Sequence, residues 1–299
     1  MTSQKKNSAV EELLHDGKLS RIVEEAVLED LGMGDVTTDA IIAQDAIGQG
    51  EITAKESGII AGLEVAALVF NVVDPDITFT PKVEDGAIVT KSTVVATVVG
   101  PLAGILKAER TALNFLQRMS GIATLTRKFV DAVQGTRAKI TDTRKTAPGL
   151  RILDKLAVQL GGGVNHRFGL DDMVLIKDNH IAAAGGITLA IERCLSHLRA
   201  NGMSLKVEVE TQSLDDVREV LKHKGIHRIM LDNFSLDDTK KAVQLVNRAV
   251  ELEASGNVSL ENVRQIAETG VDYISIGALT HSPKALDISL EVSSLEKQS

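Results

Sequence analysis

The residues best suited to chemistry crowd into one stretch. Between positions 141 and 180 the chain places TDTRKT, a Gly161-Gly162-Gly163 run, Asn165-His166-Arg167 and Lys177-Asp178-Asn179-His180. Arg144 and Arg167 carry planar forks suited to bidentate contact with carboxylate or phosphate. Lys145 and Lys177 are compact point charges that suit diphosphate oxygens. His166 can donate to an anion in either protonation form. Any one of these reads as well as an ion-paired surface residue. Together, beside small residues in a chain of net charge −8, they read as a pocket for a compact polyanion.

Two carboxylates downstream complement them. Glu210 and Asp232 could hold hard Mg²⁺ together with substrate phosphates, or accept hydrogen bonds from ribose hydroxyls. The plainer alternative is that each neutralises a nearby lysine. Glu208 has the same parity as Glu210 on a strand, so alternation leaves the choice between them open. Glu210 is preferred for its place at the strand end. Zinc-type spacing is absent, since there is no H-x-x-x-H and the lone Cys194 has no partner. Small-residue loops at 253–259 and 275–280 could bind phosphate through backbone N–H groups.

What must position these side chains is a βα repeat. Short apolar runs end at or just before Lys145, Lys177, Glu210, Asp232, Ser255 and Gly277, in steps of 32, 33, 22, 23 and 22 residues. Those are the lengths of βα units. Three helices open alike on Ser213, Ser235 and Ser259, each a candidate N-cap with acids or their amides in the first turn. No G-x-G-x-x-G follows the first strand, which weakens a dinucleotide fold. Interesting residues at every strand end follow barrel logic, but six readable strands are too few for eightfold closure. The expectation is an incomplete α/β barrel of about six to seven strands.

Upstream, helical periodicity marks 10–14 and 19–31, with Ser20 a possible cap and Gly32 a possible stop. Residues 34–39 read as a polar turn. From 50 to 100, β-like runs at 51–54, 77–81 and 94–99 are punctuated by glycines, with 65–73 a possible intervening helix. Residues 83–100 have the flavour of a lipoyl or biotinyl carrier, yet no lysine has the required setting. A long helix at 105–125 then reads as a connector, with Arg110 on the side of Asn114. The domains expected are 1–125, an α+β sandwich with its connecting helix, and 126–281, the barrel. Residues 282–299 are expected to pack back on the first domain.

Composition narrows the function classes. Aromatic content of 2% and a net charge of −8 argue against nucleic-acid binding. No apolar run approaches a membrane span, and residues 1–8 read as a polar, frayed tail without a secretory signal. A single cysteine excludes an intramolecular disulfide and points to a reducing, cytoplasmic setting. Cys194, within a helix-like 191–198, reads as a packing residue.

The motifs ERTALNFLQRMSGIAT, TDTRKTAPGLRILDKLAVQLGGGVNHRFGLDDMVLIKDNH, VEVE and IMLDNF resemble the quinolinate phosphoribosyltransferase family. The likeness is collinear from about position 28 to 290. It implies an α/β sandwich joined to an incomplete α/β barrel, assembled as a homodimer or a trimer of dimers. It implies transfer of phosphoribosyl from phosphoribosyl pyrophosphate to quinolinate, with Mg²⁺, giving nicotinate mononucleotide, pyrophosphate and CO₂. Arg144, His166 and Arg167 then correspond to the dicarboxylate clamp, with Arg110 donated by a partner subunit. Lys145 and Lys177 would face phosphate or carboxylate at the reacting centre, and Thr143 belongs with the same substrate-binding set. Glu210 and Asp232 correspond to the pair serving Mg²⁺ and the ribose diol. Ser255, Gly256, Asn257, Gly277 and Ala278 fall where the 5-phosphate is bound. The rival readings are a nicotinate phosphoribosyltransferase, which would release no CO₂, and a non-catalytic phosphate-binding barrel.

Overall fold

The computed structural model describes residues 17–295. The expected helix at 10–14 and the tail at 1–8 lie outside the described residues. The chain divides into two compact units, the first comprising Met1–Leu125, Thr146–Gly162 and Ser282–Ser299, the second Thr126–Lys145 and Gly163–His281.

The first unit opens with α1 (Lys18–Leu31), which buries Leu19, Val23 and Val27 on one face. Gly17, not Ser20, precedes it, in a left-handed conformation, and the Gly32 N–H closes it on the Leu28 carbonyl. The polar turn expected at 34–39 is instead the start of a short helix, α2 (Val36–Ile41). The Asp35 carboxylate accepts the N–H groups of Thr37 and Thr38, satisfying donors that helix bonding leaves orphaned.

Then come β1 (Ile47–Ala54), β2 (Gly58–Ile59), α3 (Leu63–Val73), β3 (Thr78–Pro81), β4 (Ile88–Val89) and β5 (Val94–Pro101). β1 buries alternate residues, as a sheet with one core face requires. The last strand, β12 (Ile288–Ser294), pairs antiparallel with β1, giving the order β12-β1-β5-β3; β2 and β4 form a separate two-stranded antiparallel sheet.

The long helix α4 runs Leu102–Ala132, beyond both ends of the expected 105–125. Ile105, Ala108, Leu116, Met119 and Ile122 are fully buried on it, whereas Arg110 and Asn114 are exposed. At Gly121 a Cβ would come 2.2 Å from the Lys284 carbonyl oxygen, so only glycine lets that backbone cross the helix. Gln117 secures the crossing, its carbonyl accepting from Leu286 N and its amide donating to Ile288 O. Those bonds feed the chain into β12.

Residues 146–162, expected within the barrel block, group instead with the first unit. They contain α5 (Arg151–Leu160). Arg118 of α4 forks onto the fully buried Asp154 carboxylate at 2.9 and 2.8 Å, and Ala147 N donates to the same group. A buried carboxylate needs such a partner, which ties α5 to α4.

The second unit is βα repetition. It runs β6 (Lys139–Thr141), β7 (Val174–Ile176), α6 (Asp178–Ala184), α7 (Ile187–Ala200), β8 (Val207–Thr211), α8 (Leu214–Val220), β9 (Arg228–Asp232), α9 (Leu236–Val246), β10 (Glu251–Ser255), α10 (Val263–Glu268), β11 (Tyr273–Ser275) and α11 (Ala278–His281). Strand neighbours follow chain order from β7 to β11, and β11 pairs with β6, all in parallel. On the far side of β6 a single parallel bridge joins Thr141 to Val164. The sheet therefore curls almost to closure and stays open between Val164 and β7. This is the incomplete barrel expected from the strand spacing.

Ser213 and Ser235 cap α8 and α9, each hydroxyl accepting from the N–H three residues on. The third serine differs. Ser259 N donates to the Asn262 side chain, and α10 starts only after Asn262.

Candidate active site

The carboxyl ends of the barrel strands surround a cavity of about 190 Å³ within the second unit. Register explains how separate strands deliver one site. Thr141, Ser275, Ser255 and Asp232 stand abreast across β6, β11, β10 and β9. Glu210 of β8 is level with Met230, one inward-facing step back from Asp232.

Four cations line the cavity: Arg144, Lys145, Arg167 and Lys177. Thr143, His166, Glu210, Asp232 and Ser255 line it as well. Burial, and then the Arg144 charge beside it, depresses the affinity of Arg167 for its proton. Two guanidiniums close enough to repel are a receptor for an anion. Arg144 Nε is also buried without a hydrogen-bond partner among the described residues, a donor still seeking an acceptor. The Glu210 carboxyl lies above its ordinary range because of burial; Lys177 opposes that shift and Asp232 reinforces it. Two mutually repelling carboxylates facing a cavity fit a divalent cation.

The remaining expected residues lie outside the cavity lining. Arg110 is exposed on α4 in the first unit. Gly256 and Asn257 adopt positive φ values of 98° and 49° in the turn after β10. A Cβ on Gly256 would sit 2.1 Å from the Asn233 side-chain oxygen, to which the Asn257 amide donates at 3.0 Å. Gly277 leaves room for the Lys145 side chain, since a Cβ there would meet Lys145 Cδ at 3.0 Å. Ala278 opens the short α11.

Four lining residues were not singled out by sequence reasoning: Leu175 and Met230, and Glu253 and Ser275, which entered only as the first residues of the two small-residue loops. Each lies two positions before a residue that was singled out. Alternation was the available signal, because residues two apart share the barrel interior, one layer deeper.

That deeper layer is charged. Glu208 and Glu253 are fully buried, and His166 Nε2 lies 3.0 Å from Glu208 and 3.6 Å from Glu253. Burial pushes the Glu208 carboxyl up to about 7, against the pull of Arg228 and Arg167. Glu253 is likewise pushed up to about 7, by burial and then by the Glu208 charge. Arg228 forks onto Glu251 and Glu253 and stacks on Tyr273, its guanidinium carbon 3.7 Å from the ring centroid. His166, expected in the clamp, has both ring nitrogens engaged, because Nδ1 also accepts from Arg167 N at 2.8 Å.

Fold and cavity together define an α/β-barrel protein with a cation-lined pocket at its strand ends. Residues 122–291 match the C-terminal domain, and residues 35–120 the N-terminal domain, of quinolinate phosphoribosyl transferase. The chain is 48% identical over 289 residues to quinolinate phosphoribosyltransferase (decarboxylating) 2, mitochondrial, of Nicotiana glauca, covering 92% of this chain and 82% of that one. It is also 48% identical to the chloroplastic nicotinate-nucleotide pyrophosphorylase (carboxylating) of Arabidopsis thaliana, with the same coverage of this chain and 82% of the other. The crystal structure of NadC from Streptococcus pyogenes superposes with a TM-score of 0.88 at 38% identity, covering 93% of this chain and 97% of that one. The chain belongs to the quinolinate phosphoribosyltransferase family.

Proposed function

We propose that the chain transfers phosphoribosyl from phosphoribosyl pyrophosphate to quinolinate with decarboxylation, giving nicotinate mononucleotide, pyrophosphate and CO₂ for NAD synthesis. The observation that carries this reading is one cavity with the mutually repelling Arg144 and Arg167 on its wall and the Glu210–Asp232 pair among its lining. In this reading Arg144 and Arg167 clamp the two substrate carboxylates, and Thr143, Lys145 and Lys177 bind at the reacting centre. Glu210 and Asp232 serve the ribose diol and would hold Mg²⁺, directly or through substrate and water. Bound there, Mg²⁺ would supply charge neutralisation for the pyrophosphate. Ser255, Gly256, Asn257, Gly277 and Ala278 take the 5-phosphate. Arg110 acts from the partner subunit of a homodimer or a trimer of dimers.

The chemistry asks for positioning rather than a nucleophile. The pyridine nitrogen attacks ribose C1 as pyrophosphate leaves, and the lysines offset charge on the departing oxygens. Alkylation of the ring nitrogen makes a pyridinium. When the adjacent carboxylate leaves as CO₂, the electron pair stays on C2, stabilised by the neighbouring positive nitrogen. C2 then takes a proton from water to give nicotinate mononucleotide. Supplying carboxyl-labelled quinolinate, phosphoribosyl pyrophosphate and Mg²⁺ is expected to release labelled CO₂. Turnover of nicotinate alone would refute the reading. We place the protein in the cytoplasm on the strength of its single cysteine, whereas the two named plant relatives carry organelle names. Cell fractionation tests that placement.

A further inference from the structure

The segment bearing Arg167 lies outside the sheet. Residues 165–173 are irregular and cross the open side of the barrel between the Val164 bridge and β7. No strand ladder fixes the guanidinium there, so something else must.

His166 supplies the link. Its backbone N–H donates to the fully buried Asp142 carboxylate at 2.8 Å, just after β6. Its ring spans from Glu208 on β8, 3.0 Å from Nε2, to the Arg167 N–H, 2.8 Å from Nδ1. A backbone N–H can only donate, so Nδ1 must present its lone pair and Nε2 must carry the ring proton toward Glu208. The ring is then a strut of fixed tautomer between a barrel strand and the Arg167 backbone. The Arg167 fork gains one further anchor, Nη1 to the Met173 carbonyl at 3.1 Å.

His166, Glu208 and Glu253 also have the composition of a metal site, all three buried with ligand atoms within 4.8 Å of one another. The tautomer argues otherwise. Nε2 could bind a metal only by passing its proton to Nδ1, which would then face the Arg167 N–H donor to donor.

We propose that Glu208 is a positioning residue, which sets the place and orientation of Arg167 through the His166 ring. It lies beneath the cavity, is absent from its lining, and touches neither ribose nor Mg²⁺. The proposal rests on the reading of Arg167 as a binder of a quinolinate carboxylate.

The test uses the full chain with Glu208→Leu and Glu208→Gln. Leucine removes the acceptor, and the KM for quinolinate should rise about 10–100-fold, as losses of orienting partners do. The KM for phosphoribosyl pyrophosphate should stay within about twofold, a split that general unfolding would not produce. Glutamine keeps an oxygen for the Nε2 proton and should restore most of the loss. Nitrogen-15 NMR of the ligand-free protein should show His166 with a bare Nδ1 and a protonated Nε2. Equal loss in both variants, equal loss for both substrates, a protonated Nδ1 or a stoichiometric metal would overturn the proposal. If Glu208→Leu does not fold, the glutamine variant and the wild-type tautomer still decide. Failure of wild-type protein to turn over quinolinate would instead sink the functional reading, leaving the tautomer to judge the strut.

Discussion

Arg144 is the side chain whose replacement should say most about the cavity, because its buried Nε has no acceptor of its own and its charge already strains Arg167. A lysine there keeps the charge and loses the planar fork. Arg144→Lys should weaken transition-state binding by about 1.5–3 kcal/mol, the worth of a hydrogen bond to a charged group. In steady-state kinetics the loss should fall on quinolinate rather than on phosphoribosyl pyrophosphate. Glu253 makes a prediction about pH. Its carboxyl, ordinarily at 4.5, sits at about 7 in the folded protein, so between those values the native state holds more protons than the unfolded state. Its stabilising contribution is full below the unfolded value and is lost as pH rises through the folded one. Glu208 acts in the same direction. Denaturant titrations from about pH 5 to 8 should therefore show stability falling, on the order of 3 kcal/mol for one such group. Glu253→Gln should flatten that slope. The cations and the Glu210–Asp232 pair were readable in the sequence because each follows or ends an apolar run. Glu253 was not, because an acid two residues before a glycine loop looks like solvent-facing polarity until its strand is known to line a barrel.

Among the elements, α4 is the one whose packing leaves least slack. Gly121→Ala would drive a methyl group against the Lys284 carbonyl, and the rearrangement should cost about 1–3 kcal/mol. Thermal melts check this, and an unchanged midpoint would show that the crossing segment moves aside freely. The helix was legible from its apolar period, but its full length was not, since the glycine at 104 and the threonines within it weaken helical propensity. The repeated serine openings were legible too, and two of the three are caps. The third fails because the Asn262 side chain occupies the Ser259 N–H and delays the helix, a competition between neighbouring polar groups that composition does not rank.

For the whole molecule, the proposed sharing of Arg110 between subunits makes a sharp prediction. Arg110→Ala and Lys145→Ala proteins, each expected to be inactive alone, should regain activity when mixed heterodimers form. Verified heterodimers without activity would count against Arg110 acting in trans. The βα spacing, the parallel barrel and the strand-end site were all written locally, in alternation, loop chemistry and the placing of charges, and these can be read from neighbours along the chain. Three features could not be read in this way. Residues 146–162 join the first unit because a buried Asp154 finds its partner in Arg118, 36 positions earlier. β12 completes a sheet begun at β1, more than 200 residues away. Glu208 and Glu210 have the same parity, and only register separates them. Glu208 lies level with Arg228 in the barrel floor, and Glu210 lies level with Met230 at the cavity. Depth along a barrel is a property of how strands are staggered against each other, so no single strand's sequence contains it.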